Sequence, residues 1–128
     1  MTSDWEQAAA WARRVARVRR HGESLVSVFE TNDNWEGLRL LRFKTANRDW
    51  LDFVTGNRTE SPSAGGYDVI VGPIANDRTI DVLNLYLSGV IPAEIALELL
   101  LPQKLKDQYV LKTEPSLNAI RFLEVKRP

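Results

Sequence analysis

The chain has 128 residues, and its 17 Lys and Arg are balanced by 17 Asp and Glu. That length predicts one domain, residues 1–128, with a core of its own, and the even charge argues against nucleic acid or anionic membrane held by bulk electrostatics. There is no cysteine and one histidine, His21, which excludes a disulfide framework, a thiolate zinc site and a cysteine nucleophile and leaves little for a multi-histidine metal site.

The chain opens Thr2-Ser3-Asp4-Trp5-Glu6, without the basic start and apolar run of a signal peptide. Ser3 and Glu6 have capping-box spacing. Trp5, Ala8, Ala12, Val15 and Ala16 recur at helical steps, which predicts a first helix. Arg13, Arg14, Arg17, Arg19 and Arg20 crowd its end, where cations complement the dipole, and Gly22 is the expected stop. Leu25 to Phe29 is β-branched and aromatic, hence a strand. Thr31 to Asn34 reads as a polar turn, and Leu38 to Phe43 as a second strand hairpin-paired with the first. Asn47 caps a helix carrying Trp50, Leu51, Phe53 and Val54 that ends at Gly56. Thr59 to Gly66, rich in Ser, Pro and Gly, reads as a surface loop.

Tyr67 to Val71 is the next strand, closed by Gly72-Pro73. Its uninterrupted Val69-Ile70-Val71 reads as covered on both faces. Asp77 or Thr79 caps a helix through Ile80, Leu83 and Leu87, ended by Ser88-Gly89. Pro92 suits the first turn of another helix, through Ile95, Leu99 and Leu100, that stops at Pro102. Pro92, Glu94 and Glu98 interrupt this stretch, the longest apolar-rich one in the chain, so no run approaches the ~20 residues of a membrane span. The expectation is a cytoplasmic protein with no membrane partner. Gln108 to Lys112 is a strand, Glu114 to Arg121 a short helix, and Phe122 to Val125 a last strand. Helices and strands do not alternate strictly, so the reading is α+β with a mostly antiparallel sheet.

Polar residues gather at element ends, where loops carry function. Asp68, beside a continuous apolar strand, is either paired within the fold or functional. Asn76 and Asp77 follow the same strand, and Asp77 serves equally well as a helix cap. Asn57 and Arg58 close the Trp50 helix; the Arg either grips an anion or pairs with Glu60. Gln108 at a strand start offers both a donor and an acceptor, suited to a ribose hydroxyl or a carboxamide. His21 and the arginine cluster read as a solvated helix end, with a catalytic histidine or a phosphate site as the alternatives. Gly65-Gly66 precedes a strand and Gly72-Pro73 is a single turn, so neither makes a phosphate loop or dinucleotide fingerprint.

Four segments together carry a resemblance: Trp50-Leu51-Asp52-Phe53-Val54 with Asn57-Arg58; Tyr67-Asp68-Val69-Ile70-Val71-Gly72-Pro73-Ile74-Ala75-Asn76-Asp77; Leu85-Tyr86-Leu87-Ser88-Gly89; and Pro102-Gln103-Lys104-Leu105-Lys106-Asp107-Gln108-Tyr109-Val110. Over nearly its whole length the chain resembles the bacterial domain-of-unknown-function family 3990, which looks like a branch of the ADP-ribosyltransferases. The resemblance implies a split, mostly antiparallel sheet with flanking helices. It also implies NAD as substrate in the cleft, and ADP-ribose passed to a protein acceptor. It places Gln108 at the third position of a catalytic triad. Asn57, Arg58, Asp68, Asn76 and Asp77 are then candidates to line the NAD cleft. The first two triad motifs, of Tyr-His-Gly and Gly-Phe-Tyr type, belong upstream of the Asp4 to Arg20 helix, and His21 does not replace the missing histidine. The expectation is therefore a C-terminal majority of the domain, lacking its first strand or strands. As such it is either an enzyme fragment or a non-catalytic interaction module, paired with an antitoxin-like partner or with a second copy through an unpaired sheet edge.

Overall fold

The element order read from the sequence is the one that forms. The computed structural model describes residues 1–57, 65–75 and 77–128. In chain order these form α1 (Trp5–Arg19), β1 (Val26–Glu30), β2 (Leu40–Arg42), α2 (Arg48–Gly56), β3 (Val69–Pro73), α3 (Asp77–Leu87), α4 (Ala93–Leu100), β4 (Asp107–Leu111), α5 (Glu114–Leu117) and β5 (Arg121–Lys126); a 3₁₀ turn, Leu101–Gln103, follows α4. The predicted surface loop falls largely on residues 58–64, outside the described residues.

Side-chain caps set the helix starts. Asn47 Oδ1 accepts from the Trp50 amide at 2.9 Å, as expected. At α1 the cap is Asp4, whose Oδ1 accepts from the Gln7 amide at 2.8 Å, and not Ser3, which is engaged elsewhere. Arg20, with φ 57°, ends α1 in a left-handed turn before Gly22 is reached. Thr113 and Ser116 form a reciprocal capping box that starts α5.

The strands form two small sheets, mostly antiparallel. One is the ribbon β1–β5, with Val26 opposite Lys126 and Glu30 opposite Arg121, bulged between Val28 and Phe29. The other has the order β2–β3–β4, parallel between β2 and β3 and antiparallel between β3 and β4. The expected hairpin between the first two strands does not form. β1 pairs with β5 instead, and β2 pairs with β3. The physical cause lies in the connection. The turn after β1 leads into Trp35, which is buried against Val69 and Val71, so the chain is drawn away from β1 and onto β3. The tetrapeptide Thr31-Asn32-Asp33-Asn34 is thus the start of a longer crossing, not a two-strand turn.

β3 is central and buried along Val69, Ile70 and Val71, as its unbroken apolar run predicts. On one face of its sheet, Trp50 and Leu51 of α2 join Leu83 of α3 and Ala93, Ala96 and Leu100 of α4. On the other, Trp35 packs on Val69 and Val71, with Leu38, Leu40, Tyr109, Leu111 and Ile120 around them. Successive β4 side chains alternate between these faces: Tyr109 and Leu111 join the Trp35 core, while Gln108 and Val110 stand on the α2 side. Met1 adds one residue to the outer edge of β4. Its ammonium donates to the Tyr109 carbonyl at 3.0 Å and its carbonyl accepts from the Tyr109 amide at 2.7 Å, the double bond of an antiparallel pair.

Candidate functional site

An open groove of about 1710 Å³ divides the two sheets. One wall is α1 with the β1 segment. The other is built from Met1 to Asp4, Ile74 and Ala75 after β3, and Gln103 to Lys106 with Gln108. Asp107 fixes that second wall. Its carboxylate accepts from Thr2 Oγ1 and the Ser3 amide, both at 2.8 Å, and from Ser3 Oγ. Burial pushes the Asp107 carboxyl up, but the Ser3 and Thr2 bonds outweigh it and hold it below its ordinary value. Lys106 pairs with Asp4 at 3.2 Å. The start of α1 is thus tied to the start of β4. No signal in the local sequence points to these contacts, because they join residues more than a hundred positions apart.

Gln108 is exposed, one residue into β4 and directly opposite Gly72. Gly72 presents no side chain beside it, and that position is filled from the other side: a Cβ there would meet Phe43 Cβ at 3.2 Å. The Gln108 carboxamide therefore borders the groove with Gly72 bare beside it. A carboxamide does not titrate, so its chemistry is to donate and accept hydrogen bonds and orient a bound group, not to move a proton. His21 is exposed at the groove. Its Nδ1 lies 2.6 Å from the Arg19 carbonyl and must donate to it, which leaves Nε2 as the acceptor when the ring is neutral. Among the described residues no group of three His, Cys, Asp or Glu is placed to hold a metal ion, and no helix is long and apolar enough to cross a membrane.

The other candidates fall elsewhere. Asp68 precedes β3, at the end remote from Gln108; four steps of extended chain separate it from Gly72, roughly 13 Å along the strand. Its carboxylate accepts from the Arg39 amide and from Thr113 Oγ1, each at 2.8 Å, with the Arg39 guanidinium 3.7 Å away. These contacts pin β2, β3 and the start of α5 together. Asn57 caps the end of α2, its amide donating to the Phe53 carbonyl at 3.1 Å, and it does not border the groove. Arg58 and Asn76 lie outside the described residues; of Asp77 only the backbone is described, as the first residue of α3. Of Gln108, Asn57 and Asp68, whose side chains are described, Gln108 alone stands at the groove.

The bonds to Asp68, first that from the Arg39 amide and then that from Thr113, hold its carboxyl below its ordinary value of 3.8. A depressed carboxyl stabilises the fold above its ordinary value, and that stability is lost as pH falls through the lower, folded value. Unfolding followed by circular dichroism from about pH 6 to 2 is therefore expected to show stability falling more steeply below 3.8 in the native chain than in Asp68→Asn. Equal slopes would assign the acid sensitivity to other carboxylates.

A family model described as a protein of unknown function, DUF3990, matches residues 1–122. No curated protein and no solved structure matches the chain.

Proposed function

Starting from a chain that belongs to the DUF3990 family, we propose an ADP-ribosyltransferase-like domain that takes NAD into the groove between its sheets. The observation that carries the reading is the position of Gln108: an exposed carboxamide, near the start of a strand, on the wall of an open groove that splits the sheets. The segments Tyr67 to Asp77 and Pro102 to Val110, two of the four that carry the resemblance, contain β3 and all of β4 but Leu111.

In this reading Gln108 hydrogen-bonds the nicotinamide ribose. The bond between nicotinamide and the ribose anomeric carbon breaks, and its electron pair leaves with nicotinamide. An acceptor nucleophile forms the new bond to that carbon and releases its proton to solvent. The Tyr-His-Gly and Gly-Phe-Tyr type motifs have no counterpart in the 128 residues, so this chain holds NAD weakly and does not complete the transfer.

Calorimetry of NAD against the chain tests the binding step. Weak saturable heat is expected. Gln108→Ala is expected to keep its melting temperature, since the side chain is exposed, and to weaken binding roughly 2- to 12-fold, the worth of one hydrogen bond. No heat at millimolar NAD would overturn the reading, and unchanged affinity in Gln108→Ala would remove Gln108 from the site.

A further inference from the structure

β1 is paired on one edge only, with β5; among the described residues no strand takes its other edge. That free edge faces the groove. Consecutive residues 25–31, of both parities, border it, whereas of β5 only Lys126 does. A groove lying over one face of the ribbon would be bordered by alternate residues, so this one runs along the edge. An edge of this kind presents a row of backbone donors and acceptors onto which an extended peptide adds. Two tryptophans of α1 border the same groove, Trp5 at 40% and Trp11 at 60% exposure, with Lys126 over the Trp5 ring and Arg14 over the Trp11 ring, each 5.8 Å from the centroid.

The charge at the groove is one-sided. Arg14, Arg19, Lys104, Lys106 and Lys126 border it against Asp4, Glu23 and Glu30. Each of those three carboxylates is engaged within the chain: Asp4 with Lys106, Glu23 with Arg127 at 2.9 Å, and Glu30 with Arg121. Two of the bordering cations are engaged likewise, Lys106 with Asp4 and Lys126 with Glu124 at 3.4 Å, and Arg19 and Lys104 add positive charge from opposite walls.

We propose that the groove binds an extended, acidic segment of a partner protein, added as a strand to the outer edge of β1. The backbone edge supplies affinity without regard to sequence, the tryptophans take apolar side chains of the segment, and the cations select acidic ones. The proposal does not rest on the NAD reading, and its test contains no NAD.

The probes are labelled eight-residue peptides, followed by fluorescence anisotropy on the full chain. One alternates Glu and Val, one alternates Lys and Val, and one is the Glu peptide N-methylated at alternate residues to remove its backbone donors. The Glu peptide is expected to bind about 10-fold or more tightly than the Lys peptide. N-methylation is expected to cost a similar factor if it blocks the ladder bonds. The pair Arg19→Glu and Lys104→Glu is expected to abolish the preference for Glu while leaving the melting curve in place, since both side chains are exposed. No binding of the Glu peptide, equal binding of the Lys peptide, or indifference to N-methylation would each overturn the proposal. Tighter binding of a twelve-nucleotide deoxythymidine strand than of the Glu peptide would overturn it in favour of single-stranded nucleic acid.

Discussion

Trp50→Ala is expected to destabilise the chain by roughly 3–5 kcal/mol, the range for removing a large buried aromatic side chain. The indole is 1% exposed and lies at the junction of α2, α3 and α4 with the central sheet. Its Cδ1 also stands 3.5 Å from where a Cβ on Gly72 would be, so on that side there is no side chain to fill the space it leaves. Its Nε1 donates to the Pro73 carbonyl at 2.9 Å, at the end of β3 that leads to the groove. Removing the indole leaves that carbonyl without its donor, a loss added to the cavity. Against a total stability of about 5–15 kcal/mol for a domain of this kind, the variant is expected to melt roughly 10–20 °C lower. Trp50→Phe separates the two contributions. It keeps most of the volume and loses the donor, so its cost is expected near 1–3 kcal/mol. An Ala variant melting with the native chain would show that the α2 face of the sheet is not the principal core.

What was legible in the sequence was what neighbours in the chain decide. Asn47 and Trp50 are three residues apart, and the cap they form was readable. The unbroken Val69-Ile70-Val71 announced a strand covered on both faces, and it lies at the centre of its sheet. The mixed order of helices and strands announced an α+β fold. Pairing was not legible, because it is settled at long range: Val26 meets Lys126, one hundred positions on, and nothing in Val26-Ser27-Val28 favours that partner over Leu40. The same holds for the groove. Ser3 reads as a cap when only its neighbours are considered, and becomes a ligand of Asp107 once β4 is brought beside it. Asp68 and Gln108 both read as polar residues at strand ends, yet antiparallel pairing of β3 with β4 sends them to opposite ends of the sheet. Only the register separates a fold-pinning carboxylate from a groove-facing carboxamide.

Trp35 makes the second large expected effect, on the opposite face of β3. It is 2% exposed, packs on Val69 and Val71, and lies 6.2 Å from Tyr109 between ring centroids. Its Nε1 donates to Asp33 Oδ1 at 2.7 Å, and Asp33 in turn pairs with Arg42 at 3.1 Å. The residue holds φ 51°, a left-handed conformation that costs a residue with a Cβ roughly 1–2 kcal/mol. The ring is seated at the expense of its own backbone. Trp35→Ala is expected to lose roughly 3–5 kcal/mol, because the packing goes and the strained backbone remains. Trp35→Gly removes slightly more volume yet relieves the strain, so it is expected to be the milder change by roughly 1 kcal/mol. Chemical denaturation of the two variants gives the order directly. Gly milder than Ala means that burial of the ring holds the turn after Asn34 in place. Gly equal to or worse than Ala means that the turn holds itself and the ring follows. Because Trp35 and Trp50 sit on opposite faces of β3, the cost of Trp35→Ala is expected to be the same within about 0.5 kcal/mol in the native and Trp50→Phe backgrounds. A larger discrepancy would mean that the two cores communicate through β3, and hence that packing on the Trp35 side reaches the Gly72 end of the strand and Gln108 beside it.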